Sequence, residues 1–89
     1  MKIETTAFYM GRQGLHSSRT GKDYVKFSLV IDGGFAQFIC AKKQGDEIAN
    51  KAAKVVGDFE KTGNPVKCTA IIDLDFTERG NFTSLSEIR

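Results

Sequence analysis

Eighty-nine residues, 40% apolar and 27% charged, suffice for one small core and are too few for two, so the chain reads as a single domain over residues 1–89. This balance argues against intrinsic disorder, and no run approaches the roughly 18 consecutive apolar residues that span a bilayer. Two cysteines (Cys40, Cys68) and one histidine (His16) are too few for a metal centre or a disulfide scaffold. The first residues, Met1-Lys2-Ile3-Glu4-Thr5, lack the basic-then-apolar layout of a signal peptide, so a cytoplasmic, reduced protein without membrane contact is expected. The net charge of +2 is unevenly placed. Residues 1–43 hold seven Lys/Arg against three acids, and residues 44–89 six against eight. A polyanion would be drawn to the first half, although the same charges also suit a merely solvated surface.

Residues 2–10 are rich in β-branched and aromatic types and read as a strand. Phe8 and Tyr9 are adjacent there, so one of them must face outward, and the sequence leaves open which. Residues 11–23 hold Gly11, Gly14, Gly21, Ser17 and Ser18 and read as a loop carrying Arg12, Arg19 and Lys22. Residues 24–32 alternate, with Val25, Phe27, Leu29 and Ile31 inward and Tyr24, Lys26 and Ser28 outward. Asp32-Gly33-Gly34 tolerates the positive φ of a tight hairpin, and residues 35–42 return as a strand with Phe35, Gln37, Ile39 and Ala41 outward.

From Asp46 the period changes. Ile48, Ala52, Val55 and Phe59 share one helical face, and Gly63-Asn64-Pro65 stops the helix. Residues 66–76 alternate again, with Val66, Cys68, Ala70, Ile72, Leu74 and Phe76 inward. A turn over 77–81 leads into a last strand over 82–89. Three strands, one helix and two strands make an all-β protein with one helix. Short strands avoid exposed edges by closing on themselves, and this order fits a five-stranded oligonucleotide/oligosaccharide-binding (OB-fold) barrel with the helix plugging one end.

Gly21-Lys-Asp-Tyr-Val-Lys-Phe-Ser-Leu-Val30 resembles the second strand of bacterial single-stranded DNA-binding proteins. Phe35-Ala-Gln-Phe-Ile-Cys-Ala-Lys-Lys43 is similar to their third strand, Glu47 to Val66 to their helix and fourth strand, and Gly80-Asn-Phe-Thr-Ser-Leu85 to their last hairpin. Each stretch is weak alone, and their weight lies in their order along nearly the whole chain. In size the chain also resembles the helix-destabilising proteins of filamentous phages, which points to a compact phage or mobile-element type. Phe35 stands where that family has Trp, and Ala41 replaces a later aromatic, so stacking capacity is reduced. The hairpin at Asp32 is tight where cellular members often have a long basic one. The chain ends at Arg89 in an expected strand, without the family's acidic tail, so the partner-recruiting role of that tail is not expected here.

Binding a single strand without reading its sequence takes cations for the phosphates and flat side chains for the unstacked bases. Tyr24 and Phe35 are the stacking candidates. Lys26 and Gln37 lie on the same outward set, and Arg12, Arg19, Lys22 and Lys42 are the phosphate candidates; Phe82 and Arg79 are weaker ones. The resulting expectation is a non-catalytic, homo-oligomeric binder of single-stranded DNA in replication, recombination or DNA transfer. RNA is an open alternative, as is an OB-fold module docking on a replication or transfer protein. No nucleophile with a base, metal cluster or phosphate loop points to an enzyme, and no cofactor is expected.

Overall fold

A glycine bulge lengthens the first strand and turns its far half over. In the computed structural model, which describes residues 1–89, β1 runs from Lys2 to Ser17 and β2 from Lys22 to Ile31. The loop expected over 11–23 is therefore only the turn at residues 18–21, closed by the Gly21 N–H donating to the Ser17 carbonyl at 2.7 Å. Between Tyr9 and Arg12 the β1–β2 register shifts, with Gly11 at φ +107°. A bulge adds a residue to one strand and reverses the alternation beyond it. That reversal, together with the glycines, hides a strand from any period-two pattern.

β3 (Gly34–Ala41) returns along β2 from Ile31↔Gly34 to Tyr24↔Ala41, across the expected tight hairpin, whose turn is the two residues Asp32 (φ 51°) and Gly33 (φ 76°). The helical region then starts at once rather than at Asp46. It is α1 (Lys42–Lys51), a break at Ala52 (φ −110°, ψ 35°), and α2 (Ala53–Thr62) in place of one helix. Hydrogen bonding continues through the break, since Ala52 N–H reaches both Ile48 and Ala49 carbonyls at 3.2 Å. α1 can begin this early because Gly45 rests on Val25, where a Cβ would lie 2.8 Å from the valine's own Cβ. Gly63 ends α2 in the left-handed conformation, its N–H donating to Phe59.

β4 (Val66–Thr77) and β5 (Gly80–Ile88) form the last hairpin. All five strands are antiparallel in the order β3-β2-β1-β4-β5, and β3 and β5 come near each other without sharing a ladder. The sheet is thus a curled half-barrel, with α1 against β2 and β5 and α2 against β1 and β4. Tyr9, Phe27, Leu29, Leu85 and Ile88 are the largest fully buried side chains. A second register shift skips Ser86, which lets both Leu85 and Ile88 face inward. Phe76, expected in the core, is 66% exposed, because the β4–β5 hairpin runs on past the curled part of the sheet. Cys40 and Cys68 are buried, unpaired thiols, and burial raises the pKa of both. No helix is long and apolar enough to cross a membrane.

Candidate nucleic-acid interface

The convex face of β1, β2 and β3 collects most of the expected groups. Register sets its rows. One row runs Lys67 (β4), Phe8 (β1), Val30 (β2), Phe35 (β3), and the next on β2 and β3 is Ser28 and Gln37. Beyond them come Gln13, Lys26 and Ile39, and then Leu15, Tyr24 and Ala41. Phe8 is the outward member of the Phe8–Tyr9 pair, at 42% exposure against 1% for Tyr9. Phe35 is 65% exposed and Ile39 62%, while Tyr24 is half-buried along its row. With strands about 4.8 Å apart, Phe8 and Phe35 stand about 10 Å from each other across β2. Tyr24 lies six residues along β2 from Val30, roughly 20 Å from that pair at about 3.3 Å per residue.

These four rows contain no carboxylate. Lys26 at their centre and Lys67 beside Phe8 take part in no ion pair. Lys67 was not among the residues singled out from the sequence, whereas the Phe8–Tyr9 pair was, with its outward member left open. Lys67 escaped because its outward position was legible but its neighbour across the β1–β4 ladder was not.

Two of the other expected cations, Arg12 and Lys42, lie apart from this face. Arg12 falls beyond the bulge, opposite the buried Phe27, and turns toward α2, where its guanidinium lies 3.7 Å from Glu60. It therefore does not share a loop with Arg19 and Lys22. Lys42 belongs to the first turn of α1 and not to the end of the third strand, and its ammonium bonds Asp46 at 2.7 Å. That hydrogen bond, with the carboxylate's charge, raises the pKa of Lys42. Arg19, in the turn, and Lys22, at the start of β2, are exposed and unpaired. They extend the Tyr24 end of the face.

His16, expected on a loop, stands in β1 opposite Asp23, with Nδ1 2.7 Å from Oδ1. Leu15, His16, Tyr24 and Lys42 border a shallow hollow of about 230 Å³. No group of three or more His, Cys, Asp or Glu is placed to hold a metal ion. Among known proteins, the chain matches no family model, no curated protein and no solved structure.

Proposed function

We propose that the half-barrel is an OB-fold of the order β1-β2-β3-helix-β4-β5, and that its convex face binds single-stranded DNA without reading its sequence. The observation that carries this reading is the carboxylate-free surface on which Phe8, Tyr24 and Phe35 flank Lys26 and Lys67. Bases stack on the three rings, and Lys26, Lys67, Lys22 and Arg19 meet phosphates. Such contacts are tolerant of sequence, because every base has a π-face and every nucleotide a phosphate. The unpaired edges of β3 and β5 suit self-association, and linking several modest sites raises avidity. A compact coating protein of phage or mobile-element type, acting in replication, recombination or DNA transfer, is the context this reading fits. RNA offers the same two handles and is separated only by direct competition.

A second reading keeps the fold and changes the partner. Val30 and Ile39 stand among the rings, and Arg12 and Lys42 are neutralised by Glu60 and Asp46, which favours a protein-docking surface. Phe35→Ala distinguishes the two. On the first reading it weakens binding of a dT oligomer by roughly 5- to 150-fold, as loss of a stack worth roughly 1–3 kcal/mol requires, with Tm nearly unchanged. Unaltered affinity would remove Phe35 from any nucleic-acid site.

A further inference from the structure

We propose that the cleft at the open end of the half-barrel receives an extended segment of a partner protein, apolar at alternate positions and basic between them, which adds to β1 as a strand. Residues 2–6 of β1 pair with β4 alone, from Lys2↔Asp73 to Thr6↔Thr69, whereas the ladder to β2 begins only at Ala7↔Ile31. β2 ends there because Asp32 and Gly33 turn the chain away into β3. The side of residues 2–6 that faces away from β4 is therefore an unpaired edge, and it borders a cleft of about 780 Å³. An unpaired edge offers alternating N–H and C=O groups, and an added strand satisfies them while its alternate side chains fill pockets.

The lining states what those side chains are. Ile3, Phe8, Val30, Ile31, Ile72 and Leu74 supply an apolar floor, three threonines a polar fringe, and Asp32 the one charge. Asp32 has no ion-pair partner. The adjoining hairpin carries Asp75 and Glu78 against Arg79, while Asp73 is taken by the N-terminal ammonium at 3.4 Å. Phe8 and Val30 are shared with the convex face, but at the Asp32 end of the cleft a phosphate would meet like charge, and a lysine or arginine would meet its complement. The inference stands on the edge and this charge, and does not rest on the nucleic-acid reading.

The test titrates a synthetic Lys-Val-Lys-Val-Lys-Val peptide, and a Glu-Val peptide of equal length, into the full chain while backbone amide shifts are recorded. The expected result is saturable shifts at residues 2–6, Asp32 and Leu74 with the lysine peptide alone. Asp32→Asn, which keeps a residue tolerant of the turn's positive φ, weakens that binding by about tenfold. Equal binding of the glutamate peptide, unaltered affinity in Asp32→Asn, shifts confined to the Tyr24–Lys26 rows, or no shifts would each overturn the proposal. Shifts of residues 2–6 that depend on protein concentration without peptide would overturn it too, by assigning the edge to a second copy of the chain.

Discussion

Tyr9 sits where β1, β2 and α2 meet, its ring edge-on to Phe59 at 5.4 Å and tilted against Phe27 at 6.5 Å. Burial, only partly offset by the charge of Arg12, pushes its phenol up to about 12. A phenol raised in the folded state contributes stability that is complete below its unfolded pKa near 10 and is lost as pH rises through the folded value. Melting temperature should therefore fall steeply between pH 10 and 12, with Tyr9 accounting for roughly 2–3 kcal/mol of the loss. Tyr9→Phe should flatten the part of that profile due to the phenol, and an identical profile would contradict the burial argument.

Gly11 makes this packing reachable. At φ +107° a side chain is strained, and a Cβ there would lie 2.9 Å from the Phe59 ring. Gly11→Ala should cost on the order of 2 kcal/mol or more, read as a loss of Tm or denaturant midpoint. It should also disturb the turned-over half of β1, where Gln13 and Leu15 join the convex face.

Among the elements, the two helical segments show how two glycines of one region differ. Gly45 is wedged on Val25, whereas a Cβ added to Gly57 in α2 would meet nothing within 4 Å. Alanine is favoured over glycine in a helix by about 1 kcal/mol. Gly57→Ala should therefore stabilise by up to about 1 kcal/mol, while Gly45→Ala should destabilise by roughly 1–3 kcal/mol as α1 is forced off β2. Chemical denaturation of both variants checks the pair of opposite signs.

Where alternation is unbroken, the elements could be read directly. β2, β3 and the first half of β4 carry it, and their faces, including buried Phe27 and Phe38, are as the pattern implies. Gly63 was equally readable, because only a left-handed residue ends a helix that way. What escaped was whatever depends on a neighbour distant in sequence. The bulge at Gly11 reverses the alternation, the seat of Gly45 on Val25 allows an early helix start, and the overshoot of the last hairpin exposes Phe76. The site follows the same division. Tyr24, Lys26, Phe35 and Gln37 could be read from two adjacent strands, but the pairing of Arg12 with the distant Glu60 could not, and the local pair of Lys42 with Asp46 was hidden by the early start of α1.

At the scale of the molecule, ion pairing separates the cations expected to meet phosphates. Lys26 and Lys67 on the convex face, with Lys22 and Arg19 at its end, are unpaired, whereas Arg12 and Lys42 are neutralised by Glu60 and Asp46. This difference fixes an expected salt dependence. If Arg19, Lys22, Lys26 and Lys67 each neutralise one phosphate, the log–log slope of single-strand affinity against salt is about −3, at roughly 0.7 per contact. Engagement of Arg12 and Lys42 as well would bring it to about −4. Lys67→Ala should lower the slope by about 0.7, while Arg12→Ala should leave it unaltered.

The measurement that tests the central claim most directly is a fluorescence-anisotropy titration of labelled poly-dT, as a single strand and as its duplex with poly-dA, at two salt concentrations. Saturable binding to the single strand alone, weakening with salt at a slope of about −3, is the predicted result. Equal affinity for the duplex, or no binding even at low salt, would contradict it and leave the convex aromatic face as a surface for protein.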